Sequence, residues 1–169
     1  MAIGPPPPKG ILRLPFSTLK AASPALLHPS SRHGVVPLTL EEFTYKFVNT
    51  LDPEAAAAAY ERFHVPETGR ILFEGGLANF RMHGPTELDY AREGRAPLLI
   101  VGNEKDHTIP ASVSHANWKK HRASASVTDY LEFEGRPHLA MGTEGWEEIA
   151  EAIDGWLDRV AADAPVSAA

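Results

Sequence analysis

Asp106 and His138 are the two residues whose types and positions could carry chemistry. Asp106 lies in "APLLIVGNEKDHTIP", residues 96–110, five positions after an apolar run ending at residue 101. His138 lies in a second phrase, "EGRPHLAMG", residues 134–142. A carboxylate bonded to one ring nitrogen of a histidine fixes its tautomer and leaves the other nitrogen as a general base. The two residues therefore indicate two members of a catalytic triad, whose nucleophile has to be sought elsewhere.

Two short strands are predicted to position this pair. The run "PLLIV" is continuously apolar between Pro97 and Gly102, which is typical of a strand buried on both faces. A helix through "ASVSHANWKKHR" separates it from a second strand in "SVTDYLEF", and this order predicts parallel strands joined by a crossover. Neighbouring parallel strands lie about 4.8 Å apart, and functional groups occupy the loops at their carboxyl ends. We therefore expect these loops to bring Asp106 and His138 together.

The chain before these strands is predicted to be all helical. Thr39 and Glu42 have capping-box spacing before "FTYKFVNT", and Asp52 precedes a second helix in "AAAAAYERFH". A third helix is predicted in "ILFEGGLANF", weakened by its glycine pair. Residues 11–37 contain four prolines, so only short helical pieces are expected there. Beyond the second strand, Thr143 is predicted to cap a last amphipathic helix.

Composition excludes several classes of function. The chain has no cysteine, which excludes disulfides, thiolate metal sites and a cysteine nucleophile. The net charge of −6 argues weakly against nucleic acid or an anionic membrane as partner, since both attract clustered Lys and Arg. No apolar run has the length of a membrane span, and the N-terminus has no secretory pattern, so a cytoplasmic protein is expected. The histidines show no H-x-x-x-H or H-E-x-x-H spacing, so no metal site is predicted.

The two phrases together resemble the last third of α/β-hydrolases of the esterase and lipase type. In that family, strand–G–x–x–x–D–x–x–I/V–P carries the triad acid, and a later G–x–x–H before the final helix carries the triad histidine. By this resemblance Asp106 is the acid and His138 the base. Gly135, Arg136 and Pro137 complete the histidine loop.

The resemblance also implies an architecture, a partial α/β-hydrolase fold with two or three parallel strands and flanking helices. Residues 1–95 are expected to form a helical, cap-like region, with the remnant of a third strand at residues 1–3. Residues 96–163 are expected to form the C-terminal strand–helix–strand–helix subdomain, and residues 164–169 a tail.

The nucleophile is the member of the triad that the sequence does not show. In this family it lies at a G-x-S-x-G elbow, and none of the nine serines has glycine two residues before or after it. The expectation is that the family's N-terminal half, with the elbow and the oxyanion donors, is absent from this chain. Ser17, in the cap-like segment with Ser30 and Ser31, is one hypothetical replacement, although turn and capping roles also explain all three. Water activated by His138 is another.

Three functions stay open. The first is a truncated, carboxylesterase-like enzyme acting on a small-molecule ester, with its nucleophile replaced or supplied by another chain. The second is a non-catalytic binding or assembly module, and the third is half of a split hydrolase. An unpaired parallel edge is a template for association, so a homo-oligomer or a complex with a complementary N-terminal hydrolase fragment is expected. No organic cofactor is implied.

Residues beside the pair each have two interpretations. His107 either lines the pocket or is a solvated loop histidine, and the second interpretation is favoured. Phe43, Tyr45 and Phe47 either shape a substrate pocket or pack between helices, and packing is favoured for the two phenylalanines.

Overall fold

A computed structural model describes residues 1–76, 78–80, 83–84 and 86–163 of the protein. The predicted tail, 164–169, lies outside these residues. Within the described part, no helix is long and apolar enough to cross a membrane.

The described residues form five strands and six α-helices in a mixed α/β arrangement. In chain order these are β1 (Ala2–Ile3), α1 (Phe16–Leu26), β2 (Val35–Val36), α2 (Leu40–Phe47), α3 (Pro53–Phe63), β3 (Glu67–Thr68), α4 (Arg70–Gly76), β4 (Leu98–Asn103), α5 (Ala111–His121), β5 (Thr128–Phe133) and α6 (Trp146–Ala162). Short 3-10 turns cover Pro29–His33, Ala78–Phe80 and Ala140–Gly142.

The sheet that carries the candidate site has three parallel strands in the order β1–β4–β5. Ala2 is paired with Ile100, and β4 is paired with β5 from Leu98 opposite Thr128 onward. The predictions of two parallel strands joined by a helix, and of a third strand at the start of the chain, are confirmed. Because all three strands run the same way, their carboxyl ends meet at one edge of the sheet.

Helix α6 covers one face of the sheet. Leu99 and Val101 alternate along β4 and pack in one buried cluster with Ile149, Ile153 and Trp156 of α6. Burying such side chains stabilises a fold by about 1.5–3 kcal/mol each. This cluster therefore anchors the last helix, and with it the loop that leads into the helix, to the central strand.

Helix α5 lies against the same two strands. The Trp118 Nε1 donates to the Thr128 carbonyl at 3.1 Å, and the Tyr130 hydroxyl donates to the Ala111 carbonyl at 3.2 Å. A Cβ at Gly102 would lie 3.3 Å from the Ala111 Cα, so glycine permits the close approach of α5 to β4. The crossover helix is thus fixed directly after the acid loop.

Helices α2 and α3 begin as the sequence predicts. The Thr39 hydroxyl accepts from the Glu42 N–H at 3.3 Å, and the Glu42 carboxylate accepts from the Thr39 N–H at 2.8 Å, which confirms the capping box. Asp52 accepts from the first backbone N–H groups of α3 at 3.0 Å. Phe43 is buried between these helices, with the Tyr60 ring centroid 5.4 Å away, so its predicted packing role is confirmed.

The first half departs from the predictions in two ways, since it contains a pair of short strands and one of its helices is longer than expected. Val35–Val36 pairs antiparallel with Glu67–Thr68, because β-branched valines between helix-terminating prolines favour extended backbone. Helix α1 is a full 11 residues despite Pro24. Pro24 has no N–H for the Lys20 carbonyl, and the Ser23 hydroxyl donates to that carbonyl instead, at 2.8 Å.

The prediction that Thr143 caps the last helix is wrong. Helix α6 begins at Trp146, and its N-cap is Gly145 with a φ of +78°. The Thr143 hydroxyl donates back to the Ala140 carbonyl at 3.0 Å and so closes the preceding turn. Thr143 lies too far before the helix to reach its free N–H groups.

Candidate active site

Asp106 lies in the loop that follows β4 and is held in place by its own loop. Its Oδ1 accepts from the backbone N–H groups of Thr108 at 2.8 Å and Ile109 at 2.7 Å. An aspartate that accepts hydrogen bonds from the backbone N–H groups two and three residues later closes a tight turn. This accounts for an aspartate at the first position of the sequence D-H-T-I. The carboxylate is 0% exposed. Two N–H donors therefore fix one oxygen and aim the other, Oδ2, away from the loop.

His138 meets that second oxygen. Its Nδ1 lies 2.7 Å from Asp106 Oδ2, the distance of a charge-assisted hydrogen bond. With the carboxylate ionised, Nδ1 is the donor and Nε2 carries the free lone pair. The His138 side chain is 24% exposed, and within the described residues Nε2 has no hydrogen-bond partner. The geometry thus leaves one ring nitrogen without a partner on a side chain that is oriented and partly exposed.

Backbone hydrogen bonds join the acid loop to the histidine loop. The Lys105 N–H donates to the Arg136 carbonyl at 3.0 Å, and the Gly135 N–H donates to the Glu104 carboxylate at 2.8 Å. The Lys105 ammonium, which also bonds Glu104, and the Gly135 N–H hold the pKa of Glu104 below its usual range. The two loops therefore move as one unit around Asp106.

The Arg136 side chain ties the histidine loop to the start of α6. Its guanidinium donates to the carbonyls of Glu144 at 2.7 Å and Gly145 at 2.8 Å, and to the Glu148 carboxylate at 2.7 Å. A planar guanidinium can satisfy several acceptors at fixed angles. This residue was predicted only as part of the loop, and the structure gives it a positioning role for His138.

The end of α2 contacts both loops. The last carbonyls of a helix have no partner within it. Three consecutive carbonyls of α2 accept from the loops instead: Tyr45 from His107 Nδ1 at 3.0 Å, Lys46 from Thr108 Oγ1 at 2.8 Å, and Phe47 from the Leu139 N–H at 2.9 Å. The N-terminal helical region and the Asp106–His138 pair are therefore one packed assembly.

His107 and Phe47 take part in this packing. The His107 ring lies tilted against Tyr45 with centroids 4.5 Å apart, and its Nδ1 bonds the Tyr45 carbonyl in a partly buried position, so the favoured interpretation as a solvated loop histidine is wrong. The Phe47 ring lies 5.4 Å from the His138 ring, centroid to centroid. Phe47 thus contacts the imidazole directly, in addition to its contact with Phe43.

Gly4 is the residue beside the pair that sequence reasoning missed. It follows β1, and its N–H donates to the Val101 carbonyl at 2.9 Å. A Cβ at Gly4 would lie 3.2 Å from Asp106 Oδ2 and 3.5 Å from His138 Cε1, and its φ is +51°. A glycine directly after a short strand was the available signal, since strand ends adjoin the loops of a parallel sheet. The end of β1 therefore forms one wall of the site.

Ser17 is not brought to His138 by any hydrogen bond in the described part of the chain. It is the second residue of α1 and is half-buried. The hydroxyls of Ser23, Ser31 and Ser124 donate to backbone carbonyls of other residues. Ser17 as nucleophile stays a prediction.

The arrangement provides an oriented imidazole, to which no serine hydroxyl of the described residues is hydrogen-bonded. In those residues, no three His, Asp or Glu side chains lie close enough to hold a metal ion together. Comparison of the sequence with models of known protein families gives no match, and comparison with curated proteins gives none either.

Proposed function

We propose that this chain carries the acid and the base of an α/β-hydrolase-type carboxylic ester hydrolase. Asp106 orients His138, and His138 moves the proton. The observation that carries this proposal is the 2.7 Å contact between a fully buried carboxylate and His138 Nδ1, with Nε2 left free. The position of the pair, in loops at the carboxyl ends of adjacent parallel strands, supports it further.

The reaction proceeds in two proton-transfer cycles. Nε2 accepts the proton of a nucleophilic O–H as its oxygen attacks the ester carbonyl, and Asp106 stabilises the imidazolium that forms. His138 then returns the proton to the departing alkoxide. In the second cycle water attacks the acyl group, Nε2 takes the proton of the water, and the acid and the original O–H are released.

The nucleophile is supplied from another chain at the edge of β1. One side of β1 pairs with β4, and in the described residues no strand pairs with its other side. Gly4, at the end of β1, lies against both members of the pair. A strand added at this edge would therefore end beside the pair. A second copy of this chain or a complementary hydrolase fragment could fill that position.

A binding module without catalysis is the second candidate. The observation that favours it is the absence, in the described residues, of a serine hydroxyl bonded to His138. A histidine base without a nucleophile and oxyanion donors provides little of an esterase's rate enhancement. The loss of a single oxyanion donor already lowers kcat by about 10²–10³-fold.

Hydrolysis of p-nitrophenyl butyrate separates these candidates. We expect His138→Gln to lower kcat/KM by at least about 10²-fold, and Asp106→Asn by up to about 10⁴-fold. The matched controls are His83→Gln, whose side chain is 90% exposed, and Asp154→Asn on the outer face of α6. Activity that survives in His138→Gln would reject the proposal.

The nucleophile is located by two further measurements. If a second copy supplies it through a residue other than Ser17, specific activity rises with protein concentration and Ser17→Ala has no effect. If Ser17 is the nucleophile, Ser17→Ala abolishes activity at every concentration. A wild-type chain that is inactive at every concentration, alone and with a serine-bearing hydrolase fragment, supports the binding module.

A further inference from the structure

Helix α1 exposes its large apolar side chains and buries its small ones. Ala21 and Ala25 face inward at 4% and 0% exposure. Phe16, Leu19 and Leu26, at positions i, i+3 and i+10, all lie on the outer face. A helix that only packed on a protein core would show the reverse arrangement.

The exposed face extends into the segment before the helix. Leu12 is 82% exposed, Leu14 is 61% exposed and Phe16 is 79% exposed. Leu27, directly after the helix, is 74% exposed. Single exposed apolar residues are ordinary, but a run of this kind marks an interaction surface. We call the outward face of residues 12–27 the α1 surface.

The segment that carries the α1 surface is opposite in charge to the rest of the chain, although the net charge of the whole chain argues weakly against an anionic membrane. The first 40 residues contain four Lys or Arg and no Asp or Glu, a net charge of +4. The remaining residues therefore carry −10, since the whole chain has −6. Arg13 lies between Leu12 and Leu14 and is exposed, and Lys20 stacks over the Tyr45 ring at 4.0 Å. The apolar surface thus belongs to a segment of positive net charge and has an exposed arginine within it.

We propose that the α1 surface binds an anionic lipid bilayer from one side, without crossing it. The leucines and Phe16 insert among the acyl chains while the exposed Arg13 meets the phosphate layer, the two contributions that together give stable peripheral binding. The acidic remainder of the chain is repelled by the bilayer and sets the orientation. A twofold contact between two copies through this face would place two segments of positive net charge against each other, which disfavours self-association.

Vesicle flotation with the full chain tests this proposal without reference to ester hydrolysis. We expect binding to vesicles of equal parts phosphatidylcholine and phosphatidylglycerol, little binding to phosphatidylcholine alone, and loss of binding as salt is raised. Phe16→Ser should weaken binding about tenfold, and Arg13→Gln about fivefold. Because both side chains are exposed, circular dichroism should show an unchanged fold. Val65→Ser, at a residue that is 70% exposed but outside the surface, is the matched control.

Three results would overturn the proposal. The first is no binding to the mixed vesicles, and the second is equal binding to vesicles without phosphatidylglycerol. The third is sedimentation of a dimer that Phe16→Ser converts to monomer, which would assign the α1 surface to a second copy of the chain.

Discussion

Replacing Gly4 with alanine tests whether β1 shapes the Asp106–His138 pair. A positive φ costs an L-residue about 1–2 kcal/mol. The new Cβ would also lie 3.2 Å from Asp106 Oδ2, so the carboxylate must move by a few tenths of an ångström. Asp106 is buried and held by two backbone N–H groups, which resist that movement. Overpacking of this kind typically adds about 1–3 kcal/mol, so we expect a total loss of about 2–5 kcal/mol.

Gly94→Ala is the matched control. Gly94 has a φ of +66°, close to that of Gly4, and a Cβ there would have no neighbouring atom within 4 Å. Its expected cost is the backbone cost alone, about 1–2 kcal/mol. Urea unfolding followed by circular dichroism gives both values. The difference between the two variants, about 1 kcal/mol or more, measures the crowding against the pair.

The rate of ester hydrolysis is a second measurement of the same contact. A small displacement of reacting groups can cost about tenfold or more in rate. We therefore expect Gly4→Ala to lower kcat/KM for p-nitrophenyl butyrate about tenfold, while Gly94→Ala leaves it unchanged. Equal losses of stability in the two variants, together with equal activity, would refute the placement of Gly4 against Asp106 and His138.

The remaining predictions concern stability. Asp106→Ala leaves two backbone N–H groups and the His138 Nδ1 without their acceptor. Urea unfolding should therefore show a free energy of unfolding lower by about 2–4 kcal/mol. A smaller loss than that of an exposed aspartate variant would contradict the hydrogen-bond pattern. Burial and the Arg95 charge lower the pKa of His121 below its usual 6.5, so the unfolded chain binds this proton more readily and stability falls as the pH drops below 6.5. His121→Gln should reduce the fall in melting temperature from about pH 7 to about pH 5, and an unchanged fall would exclude His121 as its source. Thr39→Ala should cost about 1 kcal/mol by chemical denaturation, and no measurable loss would show that the capping box contributes nothing to stability.

The sequence predicts the parts of this fold that depend on local pattern. The continuous apolar run after Pro97 fits a strand buried on both faces, because every side chain of that strand has to be apolar. The capping box at Thr39 and the cap at Asp52 are local hydrogen-bond patterns, which the sequence specifies within four residues. The contact between Asp106 and His138 followed from the order of strands and helices, since parallel strands place successive loops side by side.

Other features depend on residues far apart in the chain. Gly4 is 102 positions from Asp106, and a glycine after a short strand indicates at most a place beside the loops, not contact with a particular carboxylate. The sequence favours a solvated His107 because its partner, the Tyr45 carbonyl, belongs to a helix 62 positions earlier. The cap of α6 was misplaced because the αL geometry of Gly145 is not encoded by a capping side chain.

The sequence by itself determined the types and order of the main elements, the acid and histidine loops, and the charge difference between the first 40 residues and the rest. These depend on spacing and composition, which are properties of neighbouring residues. Only the tertiary structure decided that the end of α2 bonds both loops and that Gly4 lies directly against Asp106 and His138. It also decided that α1 exposes its leucines and Phe16. Each of these three features depends on which side chains are buried. Burial is decided by contacts between segments that are far apart in the sequence.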